Sequence, residues 1–592
     1  MKNICLVGIG PHAKRIYLNY FKKHKINLSL VVELESNLEK TEQYLKELDF
    51  KNFHLFSIDD KYKDNEHLPS VVSNNLLAVC QTLNITHIII STEPKAHFAY
   101  LEFALKNNFN VLSDKPITVV KDMTSLRSIE KIRKQYYELL KLAEQSTGSC
   151  KIMCQRQYHR GYEKVKEILT ETVDKFKVPI TNIEIFHSDG AWEFPHDLGK
   201  ENHPYKYGYG KLFHSGYHFI DLLSDFIKIN DCLPSNKCID HAEVYSKVFT
   251  PNDEMNILTL DDYKELFKNQ NLSNYYNQET EPDFNKYGEK DYHGLLTFYN
   301  KNGFTITTAN LNLIHNGVSR RSWAETRDFY KSNGRIRHER INIEIAHLMN
   351  IQVHSYQSKE ICDRTSSEED VGGLEHFDIY IFSNPLVDKE TFKVIHLGDM
   401  YSEKEKKEFM GYNELSRDIF LTNFLNNKGC KGDLKDQALA IEILYSCAKG
   451  IHNHYAKINK VEKIKVRNDY TYRYFVKKLK QYSNTENRDY EKVDLDNTIH
   501  SNDNYTLYSF LNYIPEKKVY EAFISIDDTK DVAGSLLYKT FKNRYLANIY
   551  YKFLTHLIAN KKPIKLKKII DNEWNFTVKI QSLYKYRIKI VL

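Results

Sequence analysis

Compact apolar runs alternate with amphipathic stretches along the first quarter of the chain. KNICLVGI at 2–9 and LSLVVE at 28–33 are uninterrupted enough to predict strands buried on both faces. Between them, PHAKRIYLNYFKKH sets Ile16, Tyr17, Tyr20 and Phe21 at helical spacing. The alternation continues with a helix over 35–48, a strand near 53–57, a helix over 68–83 and a strand over 87–91. A helix over 95–107, a strand over 110–112 and a long helix over 121–146 complete it. Strands and helices in strict turn predict a parallel, doubly wound α/β sheet occupying residues 1–150.

The period changes after that. Residues 151–457 contain strand candidates at 181–187, 241–249, 292–299, 304–313, 349–356 and 377–382. Helices are expected at 160–173, 212–228, 413–426 and 434–450. This reads as an α+β domain whose open, mostly antiparallel sheet carries helices on one side. The polar, aperiodic stretch 268–290 is expected to be a surface loop. Residues 458–592 read as a C-terminal extension, with a linker at 481–505, an amphipathic helix near 538–559 and alternating strands in EWNFTVKIQSLYKYRIKIVL.

Composition narrows the class. With 592 residues, 41% hydrophobic and 27% charged, the chain is globular and too long for one core. No apolar run approaches the ~20 residues of a transmembrane helix, and no signal peptide is expected at the start, so a cytoplasmic protein without membrane contact is predicted. The nine cysteines are scattered, as reduced structural thiols would be. From Tyr538 to Leu592 there are 13 Lys/Arg against 2 Asp/Glu, so the basic character belongs to the tail and the rest of the chain is net negative. No nucleic-acid motif accompanies it; a docking face for a protein partner, or a solvated surface, is the expectation.

Gly8-Ile9-Gly10-Pro11-His12-Ala13 fits G-x-G-x-x-G/A between a strand and a helix. Gly8 allows the tight turn, Gly10 lets backbone approach a pyrophosphate, and Ala13 lets helix and strand pack closely. The helix N-terminus then offers unpaired N–H groups to the anion. Glu33, ending the second strand, lies at the spacing of the acidic residue that accepts ribose hydroxyls. Such a carboxylate favours NAD; NADP stays open because Lys14 and Arg15 lie close enough to meet a phosphate.

The run THIIISTEPKAHFAYLEFALKNNFNVLSDKPIT carries Ser91, Thr92, His97 and Asp114-Lys115-Pro116. With the glycine loop, Gln155-Arg156 and HSGYHFID at 214–221, it resembles the Gfo/Idh/MocA oxidoreductases over residues 2–457. That resemblance implies a Rossmann domain binding the cofactor through Gly8, Gly10, Pro11, His12, Ala13, Glu33, Ser91, Thr92, His97, Asp114 and Lys115. It implies that Lys115 sits between nicotinamide and substrate, where the family's Glu-Lys-Pro has become Asp-Lys-Pro. It also implies a D-x-G-x-H-x-x-D segment, here with His214 in place of the first aspartate, followed by Gly216, His218 and Asp221. A homo-oligomer is expected on the same ground.

His214, His218 and Asp221 share a face if one helix runs through them. A histidine can take a hydroxyl proton at neutral pH, and a lysine beside the same oxygen can stabilise the alkoxide. Lys115 and His218 are therefore the expected catalytic pair, with His214 orienting substrate or relaying a proton and Asp221 fixing a tautomer or capping a helix. His-x-x-x-His has zinc-ligand spacing, but with no third ligand evident no metal is predicted. Arg156 and Trp192 are expected to line a pocket for a sugar-like small molecule, with Tyr158, His159, Arg320, Arg321 and Trp323 as further candidates. The expected activity is hydride transfer between nicotinamide and a secondary alcohol or ketone of a sugar, cyclitol or nucleotide sugar. Reduction of a carrier-bound imine and a silent dinucleotide-binding regulator are the rival readings.

Overall fold

The computed structural model describes residues 2–190, 205–266, 287–315, 336–358, 376–402 and 412–466, short pieces at 198–199, 268, 284–285 and 405, and from 467 onward the strands alone. Two compact units divide it, Met1–Thr471 and Tyr472–Leu592.

The first sheet has six parallel strands: β1 (Asn3–Val7), β2 (Leu28–Leu34), β3 (His54–Ile58), β4 (Ile85–Ile90), β5 (Asn110–Ser113) and β6 (Cys150–Ile152). Their order is β3-β2-β1-β4-β5-β6, so the winding reverses between β1 and β4. In such sheets the crevice outside the strand ends at the reversal is where ligands bind. Ile4, Leu6, Val31, Ile89 and Leu112 are almost wholly buried, which is why these strands lack polar alternation.

A continuous helix over 11–24 follows β1, with Lys14–Leu18 wound as a π turn. Its buried face (Ala13, Ile16, Tyr17, Tyr20, Phe21) meets Phe420, Leu421 and Phe424 of the helix Tyr412–Leu425 in one core. Tyr20 and Thr422 hydroxyls lie 2.9 Å apart, and Asp418 holds Lys23 and His24 at 3.2 and 2.9 Å. A late helix of the second domain thus lies against the helix that follows the glycine loop.

The second sheet has nine strands: β7 (Asn182–Ser188), β8 (His241–Phe249), β9 (Asp291–Tyr299), β10 (Thr305–Ile314), β11 (Ile336–Ile345), β12 (Met349–Ser358), β13 (His376–Ser383), β14 (Phe392–His396) and β15 (Glu462–Lys465). The order is β14-β13-β12-β11-β7-β10-β9-β8-β15, antiparallel except where β7 and β10 run parallel. β15 pairs with β8, so the sheet takes in chain beyond the expected boundary at 457.

A buried polar tie joins the two sheets' helices. Arg133, on the helix Leu126–Gln145, donates to both carboxylate oxygens of Glu442 at 2.9 and 3.2 Å. Tyr137 adds a bond to Glu442 at 2.7 Å, and Glu442 lies on the helix Ala438–Tyr455.

Three expectations are corrected. The helix over 212–228 is two: Lys211–His214 and Tyr217–Lys228. The stretch 268–290 does not end as surface, because Glu289 and Lys290 are buried. In the second unit, strands Asn497–Ser501 and Tyr505–Ile514 enter the expected linker, and Gly534–Phe541 is a strand where the helix near 538–559 was expected to begin; residues 542–559 lie outside the described residues. Four strands (497–541) form an antiparallel sheet and three more (Ile564–Ile569, Glu573–Val578, Tyr586–Val591) another. Among the described residues no helix is long and apolar enough to cross a membrane.

Candidate active site

Gly8 leaves β1 at φ +84°, and a Cβ there would come within 2.9 Å of the Ser91 carbonyl oxygen and the Thr92 methyl, so both the conformation and the space call for glycine. A Cβ on Gly10 would meet nothing within 4 Å. That open side, with Pro11 opening the helix and Ala13 fully buried behind it, fits a phosphate resting against backbone. Glu33 braces the loop: one carboxylate oxygen accepts from the Ile9 N–H and the other from the Leu34 N–H, each at 2.9 Å. Each oxygen keeps a second lone pair for a ribose hydroxyl. Lys14 lies 4.0 Å above the Tyr44 ring, and Arg15 is exposed.

Asp114 directly follows β5, facing the glycine loop's helix. Its carboxylate accepts from Tyr17 at 2.5 Å and Ser91 at 2.7 Å, with His12 Nε2 at 3.5 Å. Burial pushes this carboxyl up, but the charge of His12 and the hydrogen bonds from His12, Ser91 and Tyr17 outweigh it and hold Asp114 well below the usual carboxylate range. Tyr17 comes from the π turn, so Asp114 is tied directly to the helix that follows the glycine loop.

Lys115, joined to Pro116 by a cis peptide, donates its ammonium to the His214 backbone carbonyl. His97, an expected cofactor-binding residue, fastens two turns together. It is fully buried, with Nδ1 2.8 Å from the Pro116 carbonyl and Nε2 3.2 Å from the Thr92 carbonyl, fastening the β4 turn to the Asp-Lys-Pro turn.

His214 ends one short helix and His218 lies in the first turn of the next, so the two rings do not share one helical face. Gly216 makes the break possible, since a Cβ there would come within 3 Å of the Leu212 carbonyl and a Leu313 methyl. The short helix is held from outside: Glu289 accepts from the Leu212 N–H at 2.7 Å. Beneath it, fully buried Lys211 reaches Asp189 at 2.5 Å and His187 Nδ1 at 2.9 Å, while Ser215 donates to Asp189 at 2.8 Å.

His214 is solvent-accessible on one side yet closely surrounded by protein. That desolvation, reinforced by the positive charge of Lys115, holds its imidazole neutral, well below the usual histidine range. His218 is buried, its Nε2 3.4 Å from the Gln155 side-chain nitrogen. Asp221 does not orient His218 through any described hydrogen bond; its carboxylate receives the amides of Gln157 and Gln437 at 3.0 and 2.8 Å. Among the described residues no group of three or more His, Cys, Asp or Glu is arranged to hold a metal ion.

Arg156, expected to line the pocket, is a buried partner of Glu339, with its guanidinium 4.5 Å from the Phe219 ring centroid. Tyr158 receives the Lys431 N–H at 2.6 Å, and His159 is packed between Tyr162 and Phe377, its pKa pushed down to about 3 by burial. Trp192, Arg320, Arg321 and Trp323 lie outside the described residues. Sequence reasoning missed Asp189, Lys211 and Glu289. Only Asp189, polar at a strand end, carried a readable signal.

Residues 2–172 match the model of the oxidoreductase family with an NAD-binding Rossmann fold, GFO_IDH_MocA. No curated protein matches the chain. Among solved structures, the chain is similar to an oxidoreductase from Agrobacterium radiobacter in complex with NAD+, L-tartaric acid and magnesium, at 10% identity, covering 78% of this chain and 98% of that one, with a TM-score of 0.44. It is also similar to the WlbA dehydrogenase from Bordetella pertussis in complex with NADH and UDP-GlcNAcA (11% identity, 79% and 98% coverage, TM-score 0.44). A third is the UDP-N-acetylglucosamine 3-dehydrogenase GnnA from Acidithiobacillus ferrooxidans (12% identity, 77% and 99% coverage, TM-score 0.43). At such scores the likeness carries no argument about substrate. The family match and the loop built from Gly8, Gly10 and Glu33 agree: residues 2–172 are similar to the NAD-binding Rossmann fold of the GFO_IDH_MocA oxidoreductase family.

Proposed function

We propose that the protein transfers hydride between NAD, with NADP as the alternative, and a secondary alcohol or ketone of a sugar, cyclitol or nucleotide sugar. One observation carries this reading. Asp114 is bonded to the helix of the glycine loop, and the next residue, Lys115, reaches the backbone of His214. The cofactor's phosphate loop and the proposed proton-handling residues are therefore linked through two consecutive side chains. A bound nicotinamide supplies the hydride acceptor or donor.

The chain's own residues divide the remaining work. Lys115 stabilises the oxygen that becomes an alkoxide. His218 accepts the hydroxyl proton in the oxidative direction and returns it in the reductive one. His214, kept neutral beside Lys115, offers a hydrogen bond to a substrate hydroxyl rather than a strong base. A homo-oligomer through the open face of the second sheet, and a protein partner for the basic extension, belong to the same reading.

The test is NADH fluorescence and turnover with nucleotide sugars, free sugars and inositols. Lys115→Met should lower kcat on the order of 10²–10³-fold, and His218→Ala on the order of 10²–10⁴-fold. NADH affinity should hold to within a few-fold in both. Turnover at the parental rate in both variants would sink the assignment.

A further inference from the structure

Three arginines of the first unit are buried, and among the described residues only two of them pair with a carboxylate from another element. Arg133 has the bidentate bond to Glu442. Arg156 has Glu339. Arg417, on the helix Tyr412–Leu425, is only 7% exposed, yet its one ion pair among the described residues is to Glu414, a residue of its own helix, at 3.0 Å. Its Nε is buried with no hydrogen-bond partner. A buried cation this poorly compensated is costly unless an anion arrives.

Its surroundings say where the anion would lie. The same helix packs on the helix following the glycine loop, through Phe420 and Leu421 against Ala13, Ile16 and Tyr17. The Arg417 charge acts on Tyr17, which is bonded to Asp114. Burial and the like charges of Arg15 and Arg156 destabilise the guanidinium, while Glu414 and Asp114 offset only part of this. Asp114 is already engaged by Tyr17, Ser91 and His12. Among the described residues no carboxylate but Glu414 pairs with Arg417, and its helix packs on the helix that follows a loop whose Gly10 faces open room.

We infer that Arg417 is a cofactor-binding residue, donating from the second domain to the pyrophosphate of the dinucleotide that the glycine loop holds on its other side. The inference rests on the reading of Gly8–Ala13 as a dinucleotide loop. It makes the phosphate a bridge between domains. Backbone N–H groups of the first would meet one side of the anion, and a guanidinium of the second would meet the other.

The experiment compares NADH, ADP-ribose and adenosine binding to the full chain, by fluorescence, calorimetry and saturation-transfer NMR, for the parent, Arg417→Met and Arg417→Lys. Arg417→Met should weaken NADH and ADP-ribose tenfold or more, leave adenosine unchanged, and flatten the dependence of log Kd on log salt. Arg417→Lys should restore part of the affinity, and it carries the test by itself if the methionine variant does not fold. NADH and ADP-ribose affinities within twofold of the parent would overturn the inference, as would a loss confined to the KM of the second substrate. If the parent binds neither NADH nor NADPH, the dinucleotide reading of the loop fails instead, which is a different result.

Discussion

Asp221 follows His218 by three residues, and its carboxylate is instead committed to two glutamine amides in a site without solvent. Burial, with the neighbouring Asp225, pushes its pKa from 3.8 up to about 7. Below about pH 4 the group is protonated in folded and unfolded chains alike. As pH rises from there the unfolded chain ionises first while the native state retains the proton, so folding loses stability up to about pH 7. Asp221→Asn should therefore gain in thermal midpoint relative to the parent as pH goes from 4 to 7, read by calorimetry at several pH values; parallel curves would contradict this. Among single residues, those named by a backbone requirement were legible: Gly8 takes the positive φ of a tight turn and Ala13 is fully buried. The surroundings of other named residues were harder to read. Those of His97 and Arg156 were not legible, because spacing cannot tell a side chain facing a cleft from one turned into carbonyls or a buried carboxylate.

At the scale of elements, hydrophobic period recovered the first sheet and most of the second. It missed β11, whose Glu339 is buried among Arg156, Tyr162 and His187 and so breaks the expected apolar alternation. It also ran one helix through 212–228, because periodicity does not register that Gly216 lies against Leu212 and Leu313. The long helices were read nearly to their ends, but not what joins them. The Arg133–Glu442 pair is buried on both sides, and removing one partner leaves an uncompensated charge. Glu442→Gln should cost about 3–5 kcal/mol, measured by urea denaturation, whereas Arg133→Met with Glu442→Met together should cost less than either alone.

At the scale of the molecule, the division into Met1–Thr471 and Tyr472–Leu592 separates the cofactor and sheet framework from the basic tail. Truncation after Thr471 should leave NADH binding and thermal midpoint near the parent's. Truncation after Lys457 removes β15, exposes the β8 edge, and should lower the midpoint by several degrees in differential scanning fluorimetry. The sequence pattern ended the second domain at 457, after its last expected helix; that the chain makes one more strand before leaving depends on pairing with β8, over 200 residues away, which no local period reports. Several ties fasten the domains within the first unit, among them Glu442 to Arg133, the helix Tyr412–Leu425 to the helix over 11–24, Lys115 to the His214 carbonyl and His452 to the Thr124 carbonyl. A body pinned at several points that do not lie on one line keeps no free rotation, so either domain can swing against the other only by breaking some of these bonds.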